Sequence, residues 1–263
     1  MPDRALDKPY VHTGISAAFS KLLTAIAALV GAVAWPLLIG AFIFVFRSEF
    51  SSVLKRVPAL LERIRKASLA GINLELDRVA AEAESARNES GKITPRQVEA
   101  AARIAIQSRE VDSQTLLNEL DQLCLQYDSL RRSLPPGPER TQAMTTVLVK
   151  MRSLAPSLVD SVDIFKGSGS PGSRLAAIAM MQMVPRVADL DWLGHRFSTE
   201  QPFVFYHAAL ALQNIANLSD DFQKKKHLRE IAMQALSSVK NFAKGPDRNT
   251  IQVLETLISS LPE

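Results

Sequence analysis

LLTAIAALVGAVAWPLLIGAFIFVF, residues 22–46, contains no charged side chain. As an α-helix rising about 1.5 Å per residue it would extend roughly 37 Å, more than a hydrocarbon core of about 30 Å. The stretch therefore predicts one N-terminal transmembrane helix. A cleaved leader would have a shorter apolar run ending in small residues, whereas this one ends in Phe44, Val45 and Phe46, followed by Arg47. Retention is expected. Pro36, beside Trp35, lacks a backbone donor and marks a kink near the middle of the span.

The flanks give that span a direction. Arg4, Lys8 and Lys21 precede it; Arg47, Lys55, Arg56, Arg63, Arg65 and Lys66 follow it. Positive charge stays on the cytoplasmic side, so the expected location is the inner cell membrane, single-pass, with residues 1–21 outside and the remainder in the cytoplasm. Apolar Phe50, Val53, Leu54, Val57, Leu60, Leu61 and Ile64 recur at helical spacing between those cations. Residues 47–83 thus read as a basic amphipathic juxtamembrane helix. Its six cations would contact lipid headgroups, or its apolar face would pack on the downstream domain or on a second copy. Pro58 is expected to bend or restart it. Residues 69–76 fit a helix and a short strand equally well.

Composition narrows the choices for the rest of the chain. The 263-residue chain carries a formal charge of +4 with 6% aromatic residues, and Leu and Ala dominate, which favours helices. The basic residues cluster after the apolar run rather than on one distal face, so nucleic acid is not an expected partner. One cysteine, Cys124, excludes an intrachain disulfide and a multi-cysteine zinc site.

Residues 84–95 are polar and predict a linker, with Thr94 capping a helix that opens at Pro95. A first helical domain spans 96–165. In it Leu116, Leu120, Leu123, Tyr127 and Leu130 make a heptad-like seam about two heptads long, suited to packing within the domain or to a short coiled coil. Leu134 to Pro138 interrupts the chain, and Met144, Val147, Leu148, Met151 and Leu154 mark the next helical face. Residues 166–173 (KGSGSPGS) predict a second flexible linker, with Ser173 capping the helix beyond it. A final helical domain covers 174–263.

That last segment repeats itself. Ala176-Ala177-Ile178-Ala179-Met180 aligns with Ala208-Ala209-Leu210-Ala211-Leu212 at an offset of 32, and more loosely with Ala232-Met233-Gln234-Ala235-Leu236. Small residues on one stripe admit a neighbouring helix closely. With a short helix near Trp192 and a break at Gln201-Pro202, residues 172–240 resemble HEAT or armadillo-like helical repeats. The resemblance implies a curved helical scaffold that binds another macromolecule. The expected fold class is all-α: the transmembrane helix, the juxtamembrane helix, and a cytoplasmic HEAT-like bundle or short solenoid.

Chemistry is sparse. Gly167, Gly169 and Gly172 match a dinucleotide fingerprint, with Asp189 beyond, yet residues 158–163 before them make a poor buried strand, no βαβ alternation surrounds them, and Pro171 removes an amide. The four histidines include no HExxH pair, and His207 on the Ala-rich helix reads as packed or groove-facing. Asp189 and Asp191 flank Leu190 just before a helix, and Asp220-Asp221 likewise read as a helix start. Lys224, Lys225 and Lys226 with Arg229 form a solvated helix face or a patch for an anionic partner. No catalytic, cofactor-binding or metal-ligating residue is expected, and no cofactor. The expected function is a membrane-anchored, non-enzymatic adaptor whose helical domain captures a protein partner. A homo-oligomeric membrane effector, with Pro36-kinked spans forming a channel, is the alternative.

Overall fold

A computed structural model describes residues 13–45, 47–85, 92–243 and 245–262; for residues 13–27, 30 and 47–65 it describes the backbone alone. Among the described residues every regular element is helical. Residues 69–76 belong to a helix. The chain divides into two compact units, Met1–Arg63 and Ile64–Glu263.

In the first unit, α1 (Thr13–Val45) runs 33 residues with Pro36 inside it, and Trp35, Leu37, Leu38 and Phe42 are exposed. The expected transmembrane helix is corrected here: among the described residues no helix is long and apolar enough to cross a membrane. Within the expected span of residues 22–46, the side chains of residues 22–27 and of residue 30, and Phe46, lie outside the described residues. The fold class is therefore all-α, with no such span among the described residues.

α2 (Arg47–Ser85) continues through Pro58 without a break. Arg47, Lys55, Arg56, Arg63 and Arg65 lie on it with side chains outside the described residues; Lys66 is exposed. Its C-terminal half belongs to the second unit, where Ile72, Leu76, Val79 and Ala80 recur at spacings of four, three and one and are buried. Glu75 on the flank accepts from Arg103 at 2.6 Å, and Lys150 reaches Asp77 at 2.6 Å. Such half-exposed pairs set register more than they stabilise.

The second unit then alternates between two layers. α3 (Pro95–Gln107), α5 (Pro138–Leu158), α7 (Pro171–Met183), α9 (Pro202–Leu218) and α11 (Arg248–Ser260) pack side by side in sequence. α4 (Ser113–Ser133), the short α6 (Val162–Lys166), α8 (Leu190–Thr199) and α10 (Phe222–Lys240) cover them. Thr94 caps α3, as its position before Pro95 predicts. Asp112, Asp189, Asp221 and Asp247 cap α4, α8, α10 and α11 through side-chain oxygens.

The middle of the inner layer is wrapped on every side. Leu175 to Met181 are all buried, as are His207 to Leu212 on α9. A helix apolar all round belongs inside, not at a surface. The third Ala-rich copy behaves differently: Ala232 and Ala235 are buried while Met233 is exposed, because α10 lies in the outer layer. The seam residues Leu116, Leu120, Leu123 and Tyr127 are consumed against α5 and α7, so within this unit they serve intrachain packing.

Residues 166–173 are tied down rather than loose. Asp128 of α4 accepts from Ser170 Oγ at 2.5 Å and from the Gly172 amide at 2.9 Å. The cap of α7 is Ser170, not Ser173; the Ser173 amide donates to Ser170 Oγ. Pro171 occupies the first helical position, which displaces the cap to the residue before it. A Cβ on Gly172 would stand 2.3 Å from the Cys124 carbonyl oxygen, so only glycine allows α7 to touch the backbone of α4.

Candidate functional site

Two neighbouring hollows open along the seam where α4, α5 and α9 meet the loop before α11. The larger, about 510 Å³, is lined by Tyr127, Arg131, Arg140, Gln201, Phe203 and Asp247 among others. The smaller, about 210 Å³, shares Thr141, Pro202, Phe203 and Asp247 with it and reaches His207. Each wall residue has a local cause. Tyr127 belongs to the α4 seam, and Arg131 follows one turn later on the same face. Arg140 sits in the first turn of α5, where its Nη1 donates to the Leu134 carbonyl at 3.3 Å. Phe203 stands in the first turn of α9, 5.9 Å from the Tyr127 ring and 4.6 Å, edge-on, from the His207 imidazole.

Burial governs the chemistry of these groups. The Tyr127 side chain is fully buried, and burial pushes its phenol up to about 12, although Arg131 pulls the other way. Its hydroxyl completes no hydrogen bond within the protein, nor does the buried Nε of Arg140. Two helix ends at the groove also lack side-chain caps: Gly137 before α5 and Gln201 before α9. Their first-turn amides keep donor capacity and the positive end of the helix dipole. The hydrogen-bonding surface is thus dominated by donors. The acidic wall residue, Asp247, is already engaged by the amide of Thr250 at 3.1 Å and by its hydroxyl.

Beneath the groove lies a buried polar cluster. Arg152 of α5 donates through Nε to Gln182 Oε1 at 2.7 Å and through Nη2 to His207 Nδ1 at 3.3 Å. Gln182 Nε2 in turn donates to the His207 carbonyl at 2.7 Å. An arginine cannot accept, so His207 Nδ1 carries the lone pair and Nε2 the hydrogen. Burial, then the Arg152 charge, holds the imidazole well below its usual 6.5. Burial likewise draws Arg152 down to about 9, which leaves it cationic at neutral pH. His207 is packed, and it also reaches the inner hollow.

A second cluster fastens α7 to α8. Buried Glu200 pairs with Arg174 and with Arg196 at 3.6 Å, and Arg196 also lies 4.5 Å over the Trp192 ring.

Other positions singled out from sequence serve the framework. Gly167 ends α6, Gly172 packs on α4, and Asp189 caps α8 while pairing with Lys166 at 2.7 Å, so the three glycines form no phosphate cradle. Lys226 is exposed, Lys224 and Lys225 are half-buried, and Arg229 donates to the Ile258 and Leu261 carbonyls at 2.8 and 2.9 Å. Arg229 is therefore committed to the end of α11. His227 pairs with Asp191 at 3.0 Å on the exposed side of α8 and α10. Cys124 is buried, and burial pushes its thiol up to about 12, which suppresses the reactive thiolate. Among the described residues, no three histidine, cysteine or acidic side chains converge as a metal site.

Arg131, Arg140, Arg152 and Gln182 were not anticipated as site residues. Arg152 did carry a signal: it lies four residues after buried Leu148, in the apolar phase of its helix. Arg131 carried one too, through its spacing from Tyr127. Comparison with known proteins gives no match to a family model, a curated protein or a solved structure.

Proposed function

We propose that residues 64–263 form a non-enzymatic helical scaffold that captures a protein partner. The observation carrying this proposal is the two-layer array itself. Successive helices extend one layer, as in HEAT-like solenoids, so that broad surfaces and the grooves between helix ends become available for binding. The buried titratable groups of the two polar clusters support the same conclusion. His207 is held neutral and fixed by Arg152, and Glu200 is neutralised by two arginines, so each is spent on holding helices together. A general acid–base pair needs two groups free to exchange protons with a substrate.

The test is to isolate the full chain from its own cells under mild conditions and weigh the intact complex. A stoichiometric protein partner that stays with the intact chain is the expected result. A chain that runs alone, with a measurable turnover that disappears in His207→Asn, would replace the scaffold with an enzyme.

A further inference from the structure

We propose that the groove between Tyr127, Arg131, Arg140 and Phe203 binds a small organic anion: a phosphate or carboxylate carried on a flat apolar body. This goes beyond protein capture, because the wall residues among the described residues all belong to one chain.

Three features converge on that ligand. Two guanidinium groups, Arg131 and Arg140, line the same hollow, and their planar forks match the paired oxygens of a carboxylate or phosphate. The uncapped amino ends of α5 and α9 border it, and both helices are long enough to carry a full dipole. The Tyr127 hydroxyl, wholly buried in the groove wall, completes no hydrogen bond of good geometry within the protein, although the Arg131 guanidinium is close enough to act on it. Against them stands the one acidic wall residue among the described residues, Asp247, which accepts from the Thr250 amide and hydroxyl at the start of α11.

The apolar body is called for by the remaining walls. Phe203 and Phe242 both line the larger hollow, with prolines 136, 202 and 246 beside them. Its volume of about 510 Å³ falls in the range of small-molecule sites and exceeds what a bare oxyanion fills. A ring stacked against Phe203 would bring an attached oxyanion to the guanidinium groups, while the inner hollow gives the far end of the ligand room toward His207.

The test is calorimetric titration of the full chain with phenyl phosphate, benzoate, inorganic phosphate and phenol. Saturable binding of phenyl phosphate, of benzoate or of both is expected, with the stronger of the two telling which oxyanion the groove prefers. Inorganic phosphate should bind more weakly, and phenol should show no saturation up to about 10 mM. The pair R131Q/R140Q should lower affinity about tenfold or more, since both charge-assisted contacts are lost. Tyr127→Phe should lower it severalfold. Wild-type amide spectra provide a measurement independent of how the variants fold: the amides of Gln201 and Phe203 should shift on adding the better anion. No saturable heat from either aromatic anion would overturn the proposal. So would phenol binding as tightly as they do, unchanged affinity in a folded R131Q/R140Q protein, or amide shifts confined to regions away from the first turn of α9.

Discussion

At Gly172 a single hydrogen atom decides whether two helices can meet. The nearest backbone atom of Cys124 lies 2.3 Å from where a Cβ would stand, and a carbonyl oxygen inside α4 cannot rotate aside. Gly172→Ala should therefore destabilise the second unit by about 2–3 kcal/mol, the upper range for overpacking. Urea denaturation of the two proteins measures this; equal midpoints would mean that α4 and α7 separate at no cost. His207 carries a different signature. Its folded pKa lies well below 6.5, so the unfolded chain takes up the proton first as pH falls. Stability attributable to it is present above about 6.5 and is lost toward the lower folded value, at up to about 1.4 kcal/mol per pH unit. Asparagine can still accept from Arg152, and His207→Asn should flatten this acid limb relative to the wild type. Thermal melts between about pH 7 and pH 5 would show the two curves converging, and parallel curves would contradict the neutral buried imidazole. Sequence alone gave His207 as packed or groove-facing, because it stands in an Ala-rich helical run. It could not pair His207 with Arg152, 55 positions earlier, since that contact exists only once α5, α7 and α9 are assembled.

Helix ends were the most readable elements, because a cap is a local event. Thr94, Asp189 and Asp221 each precede their helices and accept from amides two or three residues on, which short-range chemistry dictates. Asp221→Ala should accordingly cost about 1 kcal/mol, for two first-turn amides of α10 lose their acceptor. Hydrogen exchange should quicken in that first turn and leave the end of α10 unchanged. Ser173 misled because its position before an Ala-rich run hid the effect of Pro171. Long-range roles were also hidden. Arg229 reads as one member of a basic run, yet its guanidinium binds two carbonyls at the far end of α11. Arg229→Met keeps the stem and removes those bonds, so it should destabilise by about 1.5–3 kcal/mol, as for hydrogen bonds to a charged donor. Lys226→Met on the exposed side should change the midpoint by less than about 0.5 kcal/mol. A similar cost for both variants would restore the view of this run as one solvated patch.

For the molecule as a whole, the greatest divergence between sequence and structure concerns length. An uncharged stretch invites a single continuous span, but among the described residues no helix is both apolar and long enough to cross a bilayer. The polar run at 166–173 posed the opposite problem. Gly, Ser and Pro predict a flexible joint, whereas Asp128 fixes this segment and the core continues past it from Leu154 and Ala155 to Leu175 and Ala176. Composition cannot reveal that, because a tether between distant residues leaves no periodic trace. The consequence is testable by cutting the chain. α5 packs against α7 along its length, so a fragment ending at residue 166 would expose the apolar face bearing Leu148, Met151 and Leu154. Each such side chain is worth about 1.5–3 kcal/mol in transfer from water, enough to erase a typical margin of about 5–15 kcal/mol. Residues 64–263 should melt in one cooperative transition, and the fragments 64–166 and 170–263 should each lack a cooperative melt when separate. Mixing them should restore helicity and a single transition, because the face that each exposes is the one that the other covers. Two fragments that melt sharply on their own would instead make the 166–173 segment a true domain joint, with α5 and α7 merely touching.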